Sequence, residues 1–72
     1  MMTSTVHIVL NGEPRELVAD SVRDLLEALG VDASRPGVAV ALNDRVVRRA
    51  LWESTRIVDG DRVEVITAMQ GG

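Results

Sequence analysis

Ser21-Val22-Arg23-Asp24-Leu25-Leu26-Glu27-Ala28-Leu29-Gly30 is the stretch on which the fold turns. Val22, Leu25, Leu26 and Leu29 recur at helical spacing and make one apolar stripe, while Arg23, Asp24 and Glu27 face away. Ser21 is a helix cap with Asp24 three residues on to complete a capping box, and Gly30 ends the helix as its left-handed cap residue. A helix with a single apolar stripe must lie across one face of a sheet. The flanking sequence therefore has to supply that sheet.

N-terminal to the helix, Val6, Ile8 and Leu10 alternate with His7 and Val9, the period-two pattern of a strand with one buried face. Asn11-Gly12 supplies a hairpin turn, and Glu13 to Val18 returns as a second strand with Pro14 at its start, where a missing backbone donor does least harm. C-terminal to the helix, Val31 to Gly37 is a polar connection with a Pro36-Gly37 turn signal. Val38 to Leu42 is a third strand, Asn43-Asp44 a tight turn and Arg45 to Val47 a short fourth strand. Arg48 to Ser54 reads as an irregular or single-turn helical segment, and Ile57 re-enters the core. Asp59-Gly60-Asp61 is a turn before a last strand, Arg62 to Ala68. The order β-β-α-β-β-β with one true helix defines an α+β roll.

The chain ends Met69-Gln70-Gly71-Gly72. Two terminal glycines arise by chance at roughly 0.5%. Without a Cβ on its last two residues, such an end threads a slot too narrow for other side chains. The four residues from Met69 reach about 13 Å when extended. The expected organisation is one domain over residues 1–68 and a flexible C-terminal Gly-Gly tail over residues 69–72.

Composition excludes several functions. Seventy-two residues allow a single domain, and a chain of this size buries only about 60% of its unfolded surface. The 46% hydrophobic share is almost wholly aliphatic, with Trp52 the one aromatic. There is no cysteine, so no disulfide or thiolate metal site forms and no thiol of this chain stores sulfur. A net charge of −3 argues against a nucleic-acid partner. The apolar run Val38 to Leu42 is too short to span a membrane, and Met1 to Thr5 lacks the features of a secretion signal, so a cytoplasmic location is expected. All eight basic residues are arginine, which weighs against a tag that polymerises through its own lysines.

No internal catalytic site is evident. His7 reads as a solvent-facing strand residue without the partner that orients a base. Asp59, Asp61 and Glu64 read as turn and strand residues ahead of a metal site. Trp52 is expected to plug the core beneath the irregular segment, with a partner contact as the alternative. Arg45, Arg48 and Arg49 are either a solvated turn or a steering patch for an acidic partner. Strand phase points to a docking face: if Glu64 faces water, Ile66 and Ala68 share its side, and Ala39 and Ala41 face outward when Val38, Val40 and Leu42 face the helix. Scattered exposed aliphatics are the bland alternative, and adjacency to the tail favours docking.

The terminal carboxylate suggests activation chemistry. Attack on the α-phosphate of ATP gives an acyl-adenylate, and a sulfur nucleophile then displaces AMP to leave a thiocarboxylate. The chain has no phosphate loop, so no cofactor is bound by it and another protein must hold the ATP.

Asn11-Gly12-Glu13, Val22-Arg23-Asp24-Leu25-Leu26, Val38 to Asn43, Trp52, Asp59-Gly60-Asp61, Val63-Glu64-Val65 and the ending Met69-Gln70-Gly71-Gly72 together resemble the ThiS family, sulfur carriers of thiamin biosynthesis. The likeness runs from Val6 to the end. It implies a ubiquitin-like β-grasp fold with a mixed sheet of about five strands and the helix on one face. It also implies adenylation at Gly72 by a ThiF-like activating enzyme, with Gly71, Gln70 and Met69 giving access. Sulfur would come from a donor protein and pass to a ThiG-like thiazole synthase, the chain acting as cosubstrate and not as an enzyme. One departure is that Val47 is followed by Arg48-Arg49, where the family often has proline before the arginine. Molybdopterin carriers share fold and ending but commonly approach their glycines through proline, which Thr67 to Gln70 lacks. A carrier for another sulfur-containing metabolite, or a ubiquitin-like modifier or interaction module, is the remaining alternative.

Overall fold

A computed structural model describes residues 5–68 of the chain. The elements in order are β1 (Thr5–Leu10), β2 (Glu13–Val18), α1 (Val22–Ala28), β3 (Val38–Leu42), β4 (Arg45–Val47), a single 3₁₀ turn (Arg49–Leu51) and β5 (Arg62–Thr67). They form one five-stranded sheet in the order β2-β1-β5-β3-β4. β1 and β5 run parallel and the other pairs antiparallel, so the sheet is mixed, as expected. The last strand ends one residue earlier than the sequence reading, at Thr67, although the Ala68 N–H still donates to the Gly37 carbonyl at 2.8 Å. The expected tail, residues 69–72, lies outside the described residues.

Both hairpins form where short polar pairs permit positive φ. Asn11 and Gly12 take φ of 50° and 84°, and Asn43 and Asp44 take 51° and 71°. Positive φ at both central residues marks the primed turn whose twist matches the strands it joins. The two asparagines also reach across to β5. Asn11 Oδ1 accepts the Val65 N–H at 2.9 Å and its Nδ2 donates to the Val65 carbonyl at 3.3 Å. Asn43 Oδ1 accepts the Arg62 N–H at 2.9 Å. The turn residues thus extend the ladder along β5 past the ends of its neighbours.

Helix α1 starts as its sequence requires, with Ser21 Oγ accepting the Asp24 N–H at 3.1 Å. The return arm differs from a regular capping box: Asp24 Oδ2 accepts from the Asp20 N–H at 3.2 Å, one residue before the cap. Ser21 lies in an antiparallel bridge with Arg56, which ties the helix start to the segment entering β5. At the other end the Val31 N–H donates to Leu26 and the Gly30 N–H to Glu27, with Gly30 at φ of 77°. That pair of bonds is the Schellman arrangement, and it places Val31 back on the core.

Val22, Leu25 and Leu26 are completely buried against Val6, Ile8, Leu10, Val40 and Val63. Each such side chain contributes about 1.5–3 kcal/mol from apolar burial. Trp52, 3% exposed, closes the side of this core, and its indole N–H donates to the Val47 carbonyl at 2.8 Å. Ile57 re-enters beneath it. Both residues lie where the sequence reading puts them.

Arg48, at the position where the resemblance implies a proline, has φ of −66° and ψ of 145°. That φ is the value a proline ring imposes. Its N–H makes no backbone hydrogen bond among the described residues, and Val47 before it is already extended. The local turn is therefore the same without the ring. Arg48→Pro is expected to raise stability by about 0.4–1 kcal/mol through the unfolded chain, with an unchanged urea m value. A loss of stability would show that the Arg48 N–H or side chain holds the turn.

Asp59 anchors the turn before β5. The His7 backbone N–H donates to its Oδ1 at 2.8 Å. That bond holds the carboxyl below the ordinary aspartate range, with lesser help from the His7 ring and its charge. Asp32 is lowered likewise, first by the Ser34 hydroxyl and then by the Ser34 N–H. A carboxyl that is a stronger acid when folded adds stability present above its unfolded pKa of about 4, lost as pH falls through the lower folded value. Carboxyl-carbon NMR titrations of Asp59 and Asp32 should have midpoints below an ordinary aspartate. Midpoints at or above it would contradict these bonds.

Candidate functional site

β5 occupies the middle of the sheet, and its period-two pattern divides its side chains between two tasks. Val63, 1% exposed, points into the core with half-buried Val65 beside it. Arg62, Glu64 and Ile66 point out from the opposite face. Ile66 is 64% exposed and pairs directly with Ala39 on β3. Ala41 pairs with Glu64 on one side and with Val46 of β4 on the other. Ala68 follows two residues after Ile66 and is exposed.

The structure therefore places Ile66 beside Ala39 near the C-terminal end of β5, with Ala68 two residues on, while half-exposed Ala41 lies beside Glu64 at mid-strand. It adds a residue that the sequence reading missed. Val46, 79% exposed, extends the apolar strip onto the edge strand. A two-residue turn at Asn43-Asp44 fixes the pairing of Ala41 with Val46, so the signal was present in the turn length. Met69, Gln70, Gly71 and Gly72 lie outside the described residues.

Ala68 is set closely against the start of β3. Gly37, at φ of 87°, faces it, and a Cβ on Gly37 would stand 3.1 Å from that of Ala68. Glycine is required here both by backbone conformation and by the approach of the neighbouring chain. The Gly37 carbonyl accepts the Ala68 N–H, the last backbone bond of the described chain. This contact sets the point from which the remaining four residues depart.

The other candidate residues have structural tasks. His7 is a surface strand residue, with Nε2 3.4 Å from Glu16 and Nδ1 3.5 Å from Asp59. Asp61 is buried, its carboxylate accepting the Val58 N–H at 2.8 Å and the Asn43 amide at 3.0 Å. Among the described residues no group of three or more histidines and carboxylates is placed to hold a metal. Arg45, Arg48 and Arg49 are all exposed, and the Arg49 guanidinium in addition lies 4.6 Å over the Trp52 ring and donates to the carbonyls of Ala33 and Arg35, the latter at 2.6 Å. Contacts across 14 and 16 positions of chain leave no local signature.

Known proteins share this arrangement. The family model "ThiS family" matches residues 8–72. The sulfur carrier protein ThiS of Thermus thermophilus is 43% identical over 63 residues, which cover 88% of this chain and 95% of that protein. A thiazole synthase of Paramagnetospirillum magneticum contains a segment 36% identical over 66 residues, covering 90% of this chain and 20% of the synthase. The crystal structure of a thiamine biosynthesis protein (ThiS) from Geobacter metallireducens matches with a TM-score of 0.75 at 37% identity, covering 93% of this chain and 100% of that one. The mixed five-stranded sheet with one helix is thus the β-grasp fold of those proteins. The chain belongs to the ThiS family of sulfur carrier proteins.

Proposed function

We propose that this chain carries sulfur for thiazole formation in thiamin biosynthesis on the carboxylate of Gly72. The observation that carries the reading is the position of Ala68. It directly follows β5, held by the Gly37 carbonyl beside exposed Ile66 and four positions short of Gly72. A domain formed by residues 1–68 would present residues 69–72 as a tail, and about 13 Å of extended chain reaches a neighbouring protein's active site.

The Gly72 carboxylate attacks the α-phosphate of ATP held by a ThiF-like activating enzyme, releasing pyrophosphate and forming an acyl-adenylate. Sulfur from a donor protein then displaces AMP and leaves the thiocarboxylate. Gly71 gives a slender approach, and Gln70 and Met69 span the distance from the sheet. Ile66, Ala39, Ala41 and Ala68, with Val46, form the surface on which the partner docks. The chain is a cosubstrate and binds no ATP itself. A ThiG-like thiazole synthase receives the sulfur, in the cytoplasm. The segment similar to this chain within a thiazole synthase supports that destination, since it places a chain of this kind in one polypeptide with a protein named for thiazole synthesis.

Two variants test the reading through ATP–pyrophosphate exchange by the activating enzyme. Removing Gly72 should abolish exchange while thermal unfolding is unchanged; a truncated protein that is still adenylated would refute activation at this carboxylate. Ile66→Asp puts a charge on a side chain that is 64% exposed. It is expected to raise KM about tenfold or more by leaving a charge in an apolar interface, with little change in Tm. An unchanged KM would assign docking to another face.

A further inference from the structure

We propose that Arg49 is a positioning residue for the activation of Gly72, acting through the loop that carries Gly37. The inference rests on the carrier reading above and adds a residue outside the apolar face. Arg49 lies in the 3₁₀ turn after β4, yet its guanidinium donates to two carbonyls of the connection between α1 and β3, those of Ala33 and Arg35. A planar guanidinium suits this task, because two of its N–H groups grip two acceptors at once.

The loop is held at three further points. Val31 is fixed by the helix cap, with its N–H on the Leu26 carbonyl. Asp32 accepts both the N–H and the hydroxyl of Ser34, at 2.9 and 2.6 Å. Gly37, two residues after Arg35, receives the Ala68 N–H and abuts the Ala68 side chain. The line of contacts runs from Trp52 in the core wall, through Arg49, to the loop and then to the last described residue of the chain. Arg49 thus ties this loop to the buried aromatic, beside the apolar packing of Val31 and Ala33 on the same core.

The geometry has a specific consequence. The Ile66, Ala39, Ala41 and Val46 side chains are set by strand pairing and do not depend on Arg49, whereas the placement of Ala68, from which the chain continues to Gly72, depends on Gly37. Loss of the fork should leave the paired Ile66, Ala39, Ala41 and Val46 surface intact and shift only Ala68, so kcat for adenylation falls while KM changes little. A displacement of about 1 Å at a reacting group is enough to cost about 10–100-fold.

The test compares Arg49→Met, Arg49→Lys and the neighbouring control Arg45→Met by amide exchange and by pyrophosphate exchange with the activating enzyme. Arg49→Met should speed exchange at the Ala68 amide about fivefold or more, with Val63 and Leu25 unchanged. It should also lower kcat about tenfold at constant KM. Arg49→Lys keeps a cation over Trp52 but cannot fork two carbonyls, and is expected to follow Arg49→Met; Arg45→Met should match the unaltered protein. An unchanged Ala68 amide in Arg49→Met, or a uniform rise across the core, would overturn the proposal by reducing Arg49 to a cover for Trp52. Wild-type behaviour of Arg49→Lys would overturn it too. If the unaltered protein supports no pyrophosphate exchange, the carrier reading fails while the amide comparison still decides the role of Arg49.

Discussion

The structure depends on the pairing of β5 along both of its edges. β5 is the last element made and the middle of the sheet, parallel to β1 and antiparallel to β3. It joins the N-terminal hairpin to the second hairpin, which otherwise share no strand contact. The parallel register with β1 is short, Val9 with Arg62 and Leu10 with Val63. The Asn11 side chain continues it by giving Val65 both a donor and an acceptor. A central strand has no free edge, and its side-chain alternation is fixed by the buried face. Burial of Val63 therefore determines that Ile66 is displayed outside.

The same constraint connects fold to chemistry. A strand clamped on both sides holds its C-terminal end steadily, and here that end carries the residues leading to Gly72. The chain contains no cysteine and no phosphate loop, so the proposed activation and sulfur delivery call for partners that supply both. On the proposed reading the part of this small protein is display: one apolar surface, and the Gly72 carboxylate four residues beyond Ala68. The proposed partners need to recognise the first to reach the second.

Much of this was legible in the sequence. Alternation at Val6, Ile8 and Leu10, the stripe from Val22 to Leu29, and the Asn-containing turns fixed the local elements, because those signals depend on neighbours only a few residues away. The outward phase of Ile66, Ala39 and Ala41 followed from the same periodicity. Three features were missed. Asn11 and Asn43 read as turn formers, yet their side chains also bond residues of β5 54 and 19 positions away. Val46 was passed over as part of a turn-flanking strand of three residues. Arg49 read as one of three solvated arginines, whereas its partners are set by the packing of the loop against Trp52. The asparagine and Arg49 contacts join segments that only the assembled sheet brings together, whereas the pairing of Val46 was readable in the length of the Asn43-Asp44 turn.

The central claim is that the end of β5 presents a carboxylate on which sulfur is carried. The most direct measurement is the intact mass of the purified protein after incubation with ATP, a sulfur source and extract from its own host, followed by fragmentation of the C-terminal peptide. The account predicts replacement of one oxygen by sulfur, localised to Gly72. An unchanged mass, in an extract shown to activate another carrier, would contradict it and make the ending a binding element.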